Sequence, residues 1–362
     1  MNNSVRCKKT HKLRLQLGIF NVGFWVLVTS SVLIWKTPLE ILFNDLNPII
    51  LLFIWIATYV ALQTPFDLIS NVLLKNSDSP EILRKQWIKG VAAQCLVFTL
   101  VSILLVPATN LQSGFCIGSM LVLLVLATSR VSFLQWITSD KTQELADSTV
   151  PTKIIDPKTS SFTGGLGWSL FSQFQILPEK WKNDSLVHIE KLRRNAHIKY
   201  GSSRRAIIGL IFWNSLGILL GAKISLYQSV NPAGSIIYFS SWMTIWSFIS
   251  LLIFPFLSRG SLFAADRYAA DIAPEKTRKW LKKFPEKIDE DGHVNRLLES
   301  IFYPIPSSST RLEQLESHSS LPKLGNLARS NLFLSWATFN LTARAVHCNV
   351  GKPALWVFPP ES

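Results

Sequence analysis

The chain has 362 residues, of which 48% are hydrophobic and only 17% charged, a balance that excludes an ordinary soluble protein of this size. Its net charge of +14 would suit a nucleic acid, but the basic residues cluster beside long uncharged runs. That placement assigns them to membrane topology and anionic lipid, so the bilayer is the expected partner and nucleic acid is not.

A hydrocarbon core of roughly 30 Å needs about 20 apolar helical residues. Residues 15–35 carry no charge and are rich in Phe, Val, Leu and Trp, and residues 46–66 form a second such run. The uncharged stretch from Gly90 to Ser129 is too long for one span, and Pro107 with Asn110 predicts a turn that divides it into a helical hairpin. Residues 206–222 predict a short fifth span, and a sixth lies between Ile224 and Ser258, after the NPAG turn at 231–234. Lys and Arg concentrate in the first sixteen residues, in the loop after span two and in 139–205, whereas the opposite loops offer only Lys36 and Lys223. By the positive-inside rule the amino terminus and both polar pieces face the cytoplasm, as expected of a protein of the inner membrane. The first apolar run is too long for a cleaved signal, and no small-residue cleavage site precedes Lys36.

Four segments follow: a four-span membrane region at 1–137, a cytoplasmic piece at 138–204, a transmembrane hairpin at 205–258 and a second cytoplasmic piece with carboxyl-terminal helices at 259–362. The two cytoplasmic pieces are expected to fold together as one split domain. In the first, Gly164, Gly165 and Gly167 predict a turn, "SQFQIL" a short strand and Asp184 an N-cap. The helix that follows places Leu186, Ile189, Leu192 and Ala196 on one face, opposite a polar one, and ends at Gly201. In the second, a helix at 259–272 is stopped by Pro274, a lysine-rich and then acidic surface segment runs to about residue 292, and helices are expected at 293–302 and from about residue 309. The uncharged run Ser330–Ala343 is short for a span and predicts a core or interfacial helix. Within span five, Gly217 and Gly221 form a GxxxG pair and Asn214 could bond a neighbouring helix. Cys7, Cys95, Cys116 and Cys348 form no CxxC pair, so neither a disulfide nor a cysteine-built metal site is expected.

The order "QILPEKW" at 175–181, "RRNAHIKYG" at 193–201, a two-span hairpin, "SRGSLFAAD" at 258–266 and "IPSSSTRLEQL" at 305–315 resembles the membrane zinc metallopeptidases of the HtpX and CAAX-prenyl endopeptidase type. The resemblance covers about 150 residues and the hairpin topology, and is carried by order and spacing more than by identities. It implies a predominantly α-helical polytopic fold with a split, gluzincin-like cytoplasmic domain and a small β element. It further implies that 193–197 occupy the HExxH positions, with Leu262 at the third-ligand position and Asp266 in the outer shell. HExxH works because two imidazoles one helical turn apart meet one Zn²⁺ while the Glu polarises its water. Here the first histidine falls on Arg193, the base on Arg194 and the carboxylate ligand on Leu262, leaving His197 as the candidate ligand and Asp266 beside it. A guanidinium has no lone pair to donate and stays protonated, so neither arginine can act as ligand or base. His188 and Glu190 do not repair the set, because His188 and His197 are nine residues apart on opposite sides of a helix.

Two readings of the arginines stand. One supplies the missing cation to Asp266 and holds two helices together. The plainer one, which the sequence alone favours, makes Arg193, Arg194, Arg204 and Arg205 a solvated or headgroup-facing surface, with Glu190 pairing Arg194 at i,i+4. The expected function is that of a catalytically inactive, metallopeptidase-like membrane protein needing no cofactor, which binds a membrane-protein or peptide partner along the strand edge near 172–178. An active metalloendopeptidase with an atypical zinc site is the alternative, and a membrane sensor a further one. A transporter finds no midplane acid or base in the spans.

Overall fold

A computed structural model describes residues 3–73, 80–145, 150–159, 161–168, 172–226, 229, 231–288, 299, 303, 305–316, 325, 327–346 and 349–359. Six helices are long and apolar enough to cross a bilayer. They are α1 (Asn3–Ile34), α3 (Pro48–Leu73), α4 (Pro80–Leu105), α5 (Gln112–Thr138), α7 (Ser202–Ser225) and α8 (Pro232–Ile272), and a short α2 (Lys36–Asn44) links the first two. The predicted turn between α4 and α5 is a single 3-10 turn at Pro107–Asn110. Phe20, Phe53, Phe212 and Phe256 each keep about two thirds or more of their surface exposed on the outer faces of these helices. In water such a surface would be an aggregation liability, and in lipid it is ordinary. The chain is thus a predominantly α-helical polytopic membrane protein with a small mixed sheet.

Each span packs on the next in a closed ring that runs α1, α3, α4, α5, α7, α8 and back to α1. The carboxyl-terminal segment lies inside it. Helix α11 (Leu327–Leu334) packs against α5, α7 and α8, the 3-10 turn Ser335–Thr338 against α4, α5 and α8, and the short α12 (Pro353–Val357) against α4 and α5. Every described residue from Leu327 to Pro359 is buried except Ser330, which is half-buried. Ser330–Ala343 is therefore core, as one expected reading had it, but it is broken into a helix, a tight turn and an irregular stretch. It also lies between the spans, whereas the sequence reading places all of 259–362 with the second polar piece.

Polar groups anchor this inner segment. Asp67 on α3 accepts from Trp87 Nε1 at 2.8 Å and from the backbone N–H of Gly351 at 3.1 Å, and pairs with the buried guanidinium of Arg344. Arg344 also donates to Gln94 Oε1 at 3.0 Å and lies 4.0 Å from the Trp356 ring centroid. Ser70 donates to the Val350 carbonyl, Ser240 to that of Phe339, and Thr244 accepts from Leu341 N–H. Asn214 reaches Asn331 at 2.8 Å, so the expected interhelical bond is made to α11. The GxxxG pair also has a packing role. A Cβ at Gly217 would sit 2.5 Å from the Trp246 ring and one at Gly221 2.5 Å from that of Trp242, so only glycine lets these indoles lie against α7.

On one side of the ring is a four-stranded sheet of β1 (Gln143–Leu145), β2 (Thr152–Ile155), β3 (Gly165–Trp168) and β4 (Gln173–Pro178), in the order β1-β2-β4-β3. β4 is the predicted strand, but it is central, parallel to β2 and antiparallel to β3. The edge expected near 172–178 is thus already paired, and the sheet edges are β1 and β3. Gly164 does turn, at φ +72°, where a Cβ would meet the Ile176 carbonyl, whereas Gly165 and Gly167 belong to β3. Gly167 leaves room for the Phe174 ring of the neighbouring strand.

Helix α6 (Val187–Lys199) follows the sheet, with Asp184 capping the preceding turn through Leu186 N–H rather than the helix itself. Gly201, at φ +64°, turns the chain into α7. At 41 residues α8 is about 60 Å long, twice the hydrocarbon thickness. Its last turns therefore project on the sheet side and carry Leu262 and Asp266 against α6. Pro274 opens α9 (Pro274–Ile288) rather than only stopping its predecessor. The lysine-rich segment is amphipathic, with Trp280, Leu281 and Phe284 buried. Helix α10 (Ser308–Leu315) starts on the Ser307 cap, as expected, while the expected helix at 293–302 lies outside the described residues apart from Glu299.

The Asp67–Arg344 pair yields a prediction about the inner segment. Removing one partner strands a buried charge, so Asp67→Asn and Arg344→Met should each lower stability by about 3–5 kcal/mol. The double variant should lose clearly less than the sum, as read by denaturant unfolding in detergent with tryptophan fluorescence.

Candidate functional site

The buried face of α6 carries polar residues where an amphipathic helix ordinarily carries apolar ones. Ile189 and Ala196 are buried as their spacing predicts, but so are Glu190, Arg193, Arg194 and His197. Arg193 is fully buried and donates from Nε to Asp266 Oδ1 and from Nη1 to Glu190 Oε2, each at 2.5 Å. Arg194 donates to Glu190 Oε1 at 2.9 Å, to the Ile176 carbonyl at 2.6 Å and to the Thr163 carbonyl at 2.8 Å. It thereby ties α6 to β4 and to the turn before β3. Arg311, on α10, clasps Asp266 from the other side with Nε and Nη2, both at 2.8 Å.

The surface reading of the four arginines therefore splits. Arg204 and Arg205 are exposed, as that reading expects, while Arg193 and Arg194 are buried. The physical reason is that Glu190 and Asp266 are themselves dehydrated and need cations at hydrogen-bonding distance. The Glu190–Arg194 contact was expected, but as an exposed helix pair. Shared with Arg193 and with Trp280 Nε1 at 3.2 Å, it is instead one edge of a buried network. Burial alone would push the Glu190 carboxyl up, but the fields of Arg193, Arg194 and Arg311 outweigh it and hold this group below the usual carboxylate range.

The residues the sequence singles out do come together. Arg193, Arg194 and His197 share the inner face of α6, and Asp266 lies across from them on α8. Leu262, one turn before Asp266, is fully buried. His197 Nδ1 lies 2.8 Å from Ser202 Oγ and 3.4 Å from Ser261 Oγ. Burial, reinforced by the Arg193 charge, lowers its pKa to about 4, so the imidazole is neutral under ordinary conditions. Arg311 is the participant that sequence reasoning did not name. Its signal was its place in the late segment "IPSSSTRLEQL".

A zinc ion does not fit these side chains. Leu262 offers no donor atom, both guanidiniums lack a free lone pair, and Arg193 spans the space between the two carboxylates. Among the described residues no three His, Cys, Asp or Glu side chains are placed to hold a metal ion. His188 turns away to the Ser185 carbonyl, as its helical position requires. Cys95 and Cys116 are free thiols, and the side chains of Cys7 and Cys348 lie outside the described residues.

The architecture is similar to the crystal structure of Ste24p from S. mikatae, with a TM-score of 0.57 over 72% of this chain and 73% of that one, at 15% identity. At that identity the likeness is one of fold: this is an integral membrane protein with a Ste24p-like fold. No family model matches the sequence, and no curated protein matches it.

The neutral state of His197 has a measurable consequence. Its folded pKa of about 4 lies below the unfolded value near 6.5. As pH falls through 6.5 the unfolded chain gains a proton that the folded one refuses, so stability is full above pH 6.5 and declines until about pH 4. The loss should approach about 3 kcal/mol. Unfolding in detergent between pH 7 and pH 4.5 should show this decline in the natural protein and a much flatter profile in His197→Gln. Glu190, held below its ordinary range, adds a further loss only at lower pH.

Proposed function

We propose that the chain is a membrane metallopeptidase homologue whose hydrolytic site has become a structural ion-pair cluster, and that its role is binding or regulation rather than peptide cleavage. The observation that carries this reading is the Arg193 guanidinium, which stands where the resemblance implies the first histidine ligand and is bound instead to Glu190 and to the outer-shell Asp266. The Ste24p-like fold supports the metallopeptidase frame. The side chains support the loss of its chemistry. A general base needs a free lone pair and a pKa near the working pH. Glu190 is saturated with donors and held low, and His197 is neutral but spends Nδ1 on Ser202.

On this reading no cofactor is required. The positive-inside distribution of Lys and Arg supports a cytoplasmic side for the sheet and the ion-pair cluster, and residence in the inner membrane belongs to the same proposal. The partner is a membrane protein or a peptide segment, and a strand added to the sheet would use an edge, β3 or β1, rather than β4.

Metal analysis of the detergent-purified protein tests the proposal, with His197→Ala as control. The expected result is no stoichiometric Zn²⁺ in either protein. About one Zn²⁺ per chain, lost in His197→Ala, would overturn the proposal and favour the active zinc metalloendopeptidase.

A further inference from the structure

A groove lies in the membrane half of the protein, on the outer wall of the ring between α3 and α4. Its volume is about 740 Å³, and its lining is almost wholly apolar. Ala57 and Ala61 line it from α3 and Cys95 and Ser102 from α4, together with the larger Phe53 and Ile103, which are themselves exposed on the outer surface. Small residues where two spans meet ordinarily let the backbones close on each other. Here a space of this size stays open between them, so the small side chains make room rather than a seam. The lining asks for no polar ligand. Among the described residues no Lys, Arg, Asp or Glu belongs to it, and the Ser102 hydroxyl is already spent on the Phe98 carbonyl one turn back, at 2.7 Å.

The position of the groove sets what can enter it. Ile49 and Pro107 mark its outer end, on the side of the bilayer away from the sheet. That side follows because α5 runs from the Pro107 turn across to β1, and because the chain before α3 is held by Asn231 at the start of α8. Cys95 and Ala61 mark the other end. From Val106 to Cys95 is about 16 Å along α4, and from Ile49 to Ala61 about 18 Å along α3. Half of the hydrocarbon core is about 15 Å, so the groove passes through one leaflet and ends near the midplane.

We infer that this groove is a binding site for one acyl chain of a bilayer lipid, drawn from the leaflet opposite the sheet. A chain of about 16 to 18 methylenes, at roughly 30 Å³ each, the share of one water in the liquid, fills about 500 Å³ of it. A partner span about 10 Å across would need about 1,200 Å³ over the same depth, so it would rest on the rim and leave the alanines uncovered. Hydrocarbon is as apolar as the lining, and transfer from the bilayer therefore gains nothing in itself. The chain is held because walls with nothing against them forfeit their dispersion contacts. Selectivity is accordingly for the chain and not for its headgroup. This inference is independent of the proposed function, since keeping or losing hydrolysis leaves this face of the spans unchanged.

The full chain is placed in phosphatidylcholine liposomes that carry a trace of phosphatidylcholine or phosphatidylglycerol with a photoactivatable diazirine midway along one palmitoyl chain, and the adducts are mapped by mass spectrometry. Labelling of 57–61 and 95–102 should exceed labelling around Phe212, which is as exposed on α7 as Phe53 is on α3, by about fivefold, and to the same degree with both headgroups. Ala57→Phe with Ala61→Phe, which fills the groove from two exposed positions, should remove that excess. Native mass spectrometry from detergent should likewise show a retained lipid on the natural chain and about fivefold less on the filled variant. Uniform labelling of the lipid-facing segments overturns the site, as does an excess that survives the filling or that follows the headgroup. A dimer that dissociates on filling also overturns it and assigns the groove to a second copy of the chain.

Discussion

The Asp266 carboxylate is held between Arg193 on α6 and Arg311 on α10, and the arrangement of the sheet-side half of the protein depends on this one acceptor. Two helices distant in sequence from each other converge on its two oxygens. Moving ions of this size out of water costs several kcal/mol each, and that cost is offset only where geometry is good and the remaining polar atoms are satisfied. Here the offset is nearly complete. Both Asp266 oxygens and both Glu190 oxygens are bonded, while among the described residues Arg193 Nη2 stands without an acceptor. The cluster is therefore short of anion rather than of cation. Phe284 lies 5.3 Å from the Arg311 guanidinium and 5.9 Å from that of Arg193, and its ring face recovers part of that shortfall.

The same logic recurs inside the ring of spans. A segment with Arg344 and the loop residues around Gly351 could not lie in hydrocarbon with its backbone groups unpaired. It is admitted because α3, α4 and α8 each present acceptors or donors to it, with Asp67, Gln94, Ser240 and Thr244 in the places where the segment departs from helix. The spans are apolar outward and polar inward at selected points, and the inner segment explains those points. Without it Asp67 would keep only the neutral donors Gln63 and Trp87 and lose its counter-charge, and with it Asp67 is a hub of four hydrogen bonds or ion pairs.

The two polar clusters also show what a single sequence can reveal. The spans were legible because hydropathy runs report burial in lipid directly, and the turn at Pro107–Asn110 was legible from its residue chemistry. Strand β4 was legible too, but its central place was not, because strand order depends on pairing with β2 and β3 and the spacing within one strand is silent about its neighbours. Helix α9 was obscured by composition: its lysines outweighed the spacing of Trp280, Leu281 and Phe284. For Arg193 and Arg194 composition misled more seriously. Adjacent arginines read as surface, and their burial is decided by Glu190 close by together with Asp266, 73 residues away from Arg193. Asp67 sits at the end of its uncharged run and reads as a span boundary until its partner, 277 residues later, is seen.

For the binding role proposed, these features act together. A hydrolytic site must tolerate motion of protons and of a nucleophile, so it keeps groups with pKa values near neutrality and leaves lone pairs free. This cluster does the reverse: its carboxylates are saturated, its histidine is neutral with Nδ1 engaged, and its arginines cannot release protons. Such an arrangement is rigid, and it fixes α6, α8 and α10 relative to β4 through the Arg194 bond to Ile176. The sheet edge at β3 is thereby presented on a fixed frame. A preorganised surface loses less conformational entropy when it meets its ligand, which is how the non-hydrolytic frame proposed above would gain in binding.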